Sequence, residues 1–125
     1  MSALVGEVEN AVGATVHFAE DCIGQVAEAV VAKAKPGEAV LLENLRYYKE
    51  ETSGDEGFAK ALAALGDIYL NDAFGTAHRA HASTAIIAQF FSPENKGFGD
   101  LMNAEVESIS KALGSDRKST VAIIG

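Results

Sequence analysis

DIYLNDAFGTAHRAHAST, residues 67–84, is the stretch from which the fold is read. Its first four residues are an apolar run that predicts a buried strand over residues 67–70. Polar material follows at once: an arginine, two histidines, a glycine and several small hydroxyl residues, within 71–84. In an alternating strand and helix chain, residues leaving the C-terminal end of a strand stand where open parallel sheets take their ligands.

Working outward from that stretch, residues 55–65 place Phe58, Ala61, Leu62 and Leu65 on one side of a predicted helix, which Gly66 ends. The acidic run YYKEETSGDEG, residues 47–57, reads as a surface loop. Before it, residues 38–42 are a strand apolar on successive residues, as expected where both faces are covered. Residues 22–34 predict a helix with Asp21 as its N-cap, residues 15–18 an alternating strand that includes His17, and residues 3–12 a first helix stopped by Gly13. Cys22 reads as a small buried filler. Downstream, residues 82–91 are apolar and helical in part, Ser92-Pro93, Gly97 and Gly99 break the chain, and residues 101–113 predict a helix with Leu101, Met102, Val106, Ile109 and Leu113 on its apolar side. A final strand is predicted over 119–124. Strands separated by helices pair in parallel through right-handed crossovers, so their C-terminal ends are expected to share one edge.

Composition narrows the function. The 125 residues are 48% apolar and 22% charged, with a formal charge of −8, an ordinary globular profile that argues against nucleic acid as a partner. No apolar run is long enough to cross a bilayer and the first residues do not read as a signal sequence, so a cytoplasmic location is the default and a membrane is not an expected partner. The single cysteine cannot form an internal disulfide.

Only three residues are arginine: Arg46, Arg79 and Arg117. Arg46 follows one predicted strand and Arg79 the next, so parallel pairing would bring both to one sheet edge. There they would make a positive spot suited to a phosphate or carboxylate, which the planar guanidinium grips through two hydrogen bonds. His78 adds a further donor. The competing reading is that these arginines are solvated or paired with carboxylates such as Glu50 and Glu51. His78 and His81 stand at a spacing that a helix could use for a metal, but Arg79 between them would repel a cation, and no metal ligands are assigned. A nucleotide-binding reading is weak, because the chain contains neither a GxGxxG nor a Walker glycine loop.

Three stretches resemble the phosphoglycerate kinase family: FAEDCIG (18–24), LLENLRYY (41–48) and, most specifically, GDIYLNDAFGTAHRAHAST (66–84). Residues 97–125 are similar to the family's passage into its second domain. The resemblance implies an α/β fold, a parallel-sheet, Rossmann-like three-layer domain that is incomplete here. It divides the chain into part of an N-terminal, 3-phosphoglycerate-binding domain (1–96), an interdomain linker helix (97–118) and the first strand of a C-terminal nucleotide-binding domain (119–125). The implied activity is a glycolytic transferase reaction, reversible phosphoryl transfer between 1,3-bisphosphoglycerate and ADP that yields 3-phosphoglycerate and ATP. Arg46, Arg79 and His78 fall on substrate contacts of the family, with 3-phosphoglycerate as the small-molecule partner. Mg-ATP or Mg-ADP serves the full-length family, and no cofactor is expected on this piece. The family's Asp-Phe-Asn loop and its glycine and lysine segment are missing, so no catalytic residue is assigned and no kinase turnover is expected from this chain alone. Full-length members are usually monomeric, whereas open sheet edges here are expected to invite self-association. The alternative is a stand-alone anion-binding or interaction module without catalysis.

Overall fold

The computed structural model describes residues 1–114; the strand expected over 119–124 and Arg117 lie outside them. In chain order the elements are α1 (Val5–Val12), β1 (Val16–Ala19), α2 (Gly24–Val31), β2 (Ala39–Leu42), α3 (Lys49–Ser53), α4 (Glu56–Ala63), β3 (Tyr69–Asn71), β4 (Lys96–Phe98) and α5 (Asp100–Leu113), with short 3-10 turns between several of them. Helices and parallel strands alternate as far as β2, after which α3 and α4 adjoin and only 3-10 turns part β3 from β4, within the α/β class that the hydrophobic periodicity implies.

The strands do not form one sheet. β1 pairs with β2 in parallel, Val16 opposite Ala39 through Ala19 opposite Leu42, and β3 pairs with β4 in parallel, Tyr69 opposite Lys96 through Asn71 opposite Phe98. These are two separate two-stranded sheets. The expectation that β2 and β3 share a common edge therefore fails among the described residues, because β3 takes β4 as its partner instead. A strand at residues 96–98 is not foreseen from a segment with glycines on both sides of a single phenylalanine.

Other boundaries move for local reasons. Asp21 does not cap α2, which starts later, at Gly24 with Ile23 as N-cap. Its carboxylate instead accepts the Cys22 amide at 2.7 Å and the Tyr48 hydroxyl at 2.9 and 3.0 Å, fastening the β1–α2 turn to the segment after β2. Asp55 does act as a cap, accepting the Phe58 amide at 2.8 Å at the start of α4. Gly13 closes α1 in the left-handed conformation, as its position predicts. Residues 47–57 are not a bare loop: they contain α3, whose Glu51 is buried.

The core lies where α4 meets the segment after β3. Cys22, Phe58, Ala59, Leu62, Ala82 and Ile87 are buried together, with Leu42, Tyr48, Tyr69 and Phe91 packed against them. Tyr48 and Phe58 are tilted with centroids 5.2 Å apart, and Tyr69 stacks on Phe91 at 5.8 Å. Burial pushes the Cys22 thiol up to about 11, helped by the neighbouring Asp21 carboxylate, so this cysteine is a filler and no nucleophile. β3 is covered on one side only, since Leu70 is exposed whereas Asn71 is buried. On α5 the predicted apolar side contributes Met102 alone to the interior; Leu101, Val106, Ile109 and Leu113 are exposed. That helix is capped from a distance, by the Asp72 carboxylate accepting the Met102 amide at 2.9 Å.

Candidate functional site

The polar stretch after β3 is a tightly fastened loop. Residues 74–76 make a 3-10 turn, and the Arg79 amide donates to Thr76 O at 3.0 Å. His81 O accepts the amides of Thr84, Ala85 and Ile86, which turns the chain back toward the core. β3 holds the far end. The Tyr69 hydroxyl donates to Ser83 O at 2.9 Å, and the Asn71 side-chain amide donates to Thr84 O at 3.2 Å. The Thr84 hydroxyl then donates to Arg79 O at 3.0 Å, fixing the backbone that carries the arginine.

The second fastening comes from α3. Glu51 is only 1% exposed, and its carboxylate accepts the Ser83 amide at 2.9 Å and the Ser83 hydroxyl at 2.7 Å. Its backbone carbonyl accepts the Ala82 amide at 2.9 Å. The same carboxylate lies 3.7 Å from Nε of Arg46 and 3.7 Å from Nδ1 of His81. A buried carboxylate is costly unless it is both hydrogen-bonded and charge-paired. Here the loop supplies the hydrogen bonds, and Arg46, which follows β2, supplies the charge. The negative charge of Glu51 also reaches Tyr69, where it adds to burial in holding the phenol above its usual range.

Glu51 thus joins the two arginine-bearing segments, which strand pairing does not. Arg46 is 44% exposed at its side chain while pairing with Glu51, and its amide donates to Asn44 Oδ1, setting the 3-10 turn Leu45–Tyr47. Arg79 and His78 are exposed, and Nε of Arg79 donates to Nε2 of His78 at 3.2 Å. That contact makes Nε2 the acceptor and leaves the ring proton on Nδ1. His81, by contrast, is buried, and its Nδ1 has no hydrogen-bond partner among the described residues. His78 and His81 therefore face different surroundings and do not form a ligand pair.

Glu51, Ser83 and His81 are the participants that hydrophobic patterning does not single out. The usable signal was Gly54, a helix stop placed five residues after Lys49 in a run otherwise read as loop. A cavity of about 400 Å³ opens beside the β3–β4 sheet, lined by Tyr69, Asn71, Thr84, Lys96, Gly97 and Phe98 among others. None of Arg46, His78 and Arg79 lines it, and the Lys96 ammonium there donates to Ala88 O. Among the described residues, no group of three or more His, Cys, Asp or Glu is placed to hold a metal ion.

Parallel strand and helix units with a long polar loop after one strand define a Rossmann-like α/β domain of incomplete sheet. The profile of the family described as phosphoglycerate kinase matches residues 1–125, and the chain belongs to that family. It is 50% identical over 119 residues to a phosphoglycerate kinase of Moorella thermoacetica, covering 95% of this chain and 30% of that protein. It is 46% identical over 125 residues to one of Elusimicrobium minutum, covering 100% of this chain and 31% of the relative. The crystal structure of phosphoglycerate kinase from Pyrococcus horikoshii superimposes with a TM-score of 0.79 at 28% identity, over 94% of this chain and 30% of that one. The chain spans about 30% of the length of the curated relatives it matches.

Proposed function

We propose that this chain is the part of a phosphoglycerate kinase that contributes one side of the 3-phosphoglycerate site, through Arg46, Arg79 and His78. The observation that carries the reading is the common anchoring of both arginine-bearing segments on Glu51, with the guanidinium groups left open to solvent. A phosphate or carboxylate of the substrate would be gripped by the two planar forks, and His78 would donate a further hydrogen bond through Nδ1. The whole enzyme would transfer a phosphoryl group between 1,3-bisphosphoglycerate and ADP. Such transfer rests on positioning and charge stabilisation from both sides of a cleft, so nucleotide and magnesium fall to segments beyond this chain. Residues 1–96 form the substrate half in this reading, residues 97–118 the connection, and residues 119–125 the start of the nucleotide half. Among the described residues β3 and β2 each leave an edge open, which fits a chain that pairs further, with the rest of the enzyme or with a second copy. A cytoplasmic setting accords with glycolytic chemistry.

The test is titration of the 125-residue chain with 3-phosphoglycerate, followed by calorimetry at two ionic strengths. Weak binding that falls with added salt is expected, and Arg79→Ala is expected to weaken it by roughly ten-fold, the size of one charge-assisted hydrogen bond. Unchanged affinity in Arg79→Ala removes that residue from the site.

A further inference from the structure

Glu51 poses a problem for an anion site. It places a full negative charge, almost wholly withdrawn from water, 3.7 Å from one of the arginines that would hold the ligand. By Coulomb's law alone it lowers the attraction that any phosphate feels there. A glutamine of the same shape would fill the space without that penalty. The carboxylate must therefore supply something else, and its contacts say what.

Two oxygens, Oε1 and Oε2, accept two donors from one residue, the hydroxyl and amide of Ser83, while the backbone carbonyl takes the preceding amide, that of Ala82. An amide side chain has one acceptor oxygen and could satisfy only one of the Ser83 donors. The remaining oxygen lobe faces Arg46 Nε and the otherwise partnerless Nδ1 of His81. Gly54, the residue that ends α3, has a left-handed φ of 71° and brings the chain so near the loop that a Cβ there would stand 2.7 Å from Ala80 O. Residues 80–83 are thus clamped onto α3 at consecutive positions directly after Arg79.

We infer that Glu51 is a positioning residue: it fixes the spacing between the Arg46 and Arg79 segments, so that both can reach one phosphorylated acid. The inference rests on the substrate reading above and adds to it the group that sets the geometry.

Charge and position make opposite predictions, which gives the test its sign. If Glu51 acted only as a nearby charge, Glu51→Gln would bind 3-phosphoglycerate several-fold more tightly. If it positions the pair, Glu51→Gln binds about ten-fold more weakly despite the gain in net positive charge. The measurement is calorimetric titration of the full 125-residue chain, wild type and Glu51→Gln, with amide hydrogen exchange on both. Exchange at Ala82 and Ser83 is expected to speed up by about ten-fold in the variant while α4 and the β1–β2 pair keep their protection. Equal or tighter binding by a folded Glu51→Gln overturns the inference. Should the wild type itself not bind, the substrate reading fails, and the exchange data then decide alone: unchanged rates at Ala82 and Ser83 overturn the positioning role. Should Glu51→Gln not fold, Ser83→Ala serves in its place, since it removes one donor and keeps every charge; loss of affinity with faster loop exchange supports the role, and neither change overturns it.

Discussion

Gly54→Ala separates backbone conformation from the contact between α3 and the arginine loop. Gly54 closes α3 as a left-handed cap in which its own amide donates to Glu51 O and the Asp55 amide to Glu50 O. An alanine there incurs two costs. The left-handed conformation with a Cβ costs about 1–2 kcal/mol. The Cβ would also sit 2.7 Å from Ala80 O, a backbone atom that cannot rotate away, and relieving such overpacking costs typically about 1–3 kcal/mol. The narrower unfolded ensemble of alanine returns about 0.4–1 kcal/mol. The net expectation is a loss of about 1–5 kcal/mol. Gly13→Ala is the internal control: its φ of 69° matches, but nothing lies within 4 Å of the added carbon. It should lose only the conformational part, about 1 kcal/mol after the same offset. Urea unfolding of both variants, followed by circular dichroism, gives the difference, and amide exchange at Ala82 shows whether the loop is pushed off Glu51. If the two variants lose the same stability, the close approach of residues 54 and 80 is not a real constraint, and the clamp described above loses its tightest point.

Two further outcomes follow from other contacts. Asp72→Ala should destabilise the chain by about 1 kcal/mol by removing the cap on α5. Gly99→Ala, whose Cβ would run into the Asp72 carboxyl group, should displace the same carboxylate, so the double variant in thermal melts should lose less than the sum of the two, and strict additivity would show that no cap is shared. The thiol of Cys22 and the phenols of Tyr48 and Tyr69 are all held above their usual ranges, by burial for Cys22 and Tyr69 and by the Asp21 hydrogen bond for Tyr48, so the folded state binds these protons more tightly. Their stabilisation is present below pH 9 and is lost as pH rises toward 11 and beyond. Glu38 is held low, first by the Lys35 amide and then by His17, and its contribution fades as pH falls below 4.5. Denaturation profiles should therefore show these losses outside those limits, and a thiol reagent that labels the folded chain at pH 8 as fast as the unfolded one would contradict the burial of Cys22.

Much of the architecture is legible in the residue pattern, because apolar periodicity reports which side of an element is covered. It finds α1, α2, α4 and α5, and the strands β1 to β3 to within a residue or two. It fails where burial is not apolar. Glu51 is hidden among acidic neighbours, and its helix is recognisable only by the glycine that stops it. It fails also where pairing is decided by distant partners: nothing local to residues 96–98 says that they lie beside β3, and nothing in β2 says that β3 will not. The α5 pattern is correct as a pattern, yet four of its five apolar residues are exposed among the described residues. Scarcity and position single out Arg46 and Arg79. The physical link between their segments is the Glu51 carboxylate, one of the two that the competing reading offers as partners for these arginines, and it pairs with Arg46.

The cap on α5 has a mechanical consequence. Asp72 belongs to the turn that leads into the arginine loop, and it grips the base of a helix of 14 residues. From Met102 to Leu113 that rod runs roughly 16 Å, so tipping its root by about 5° swings the far end by roughly 1.5 Å. A displacement of Asp72 by a ligand in the loop would therefore be enlarged at the outlying tip, as a hand on a tiller is felt at the rudder.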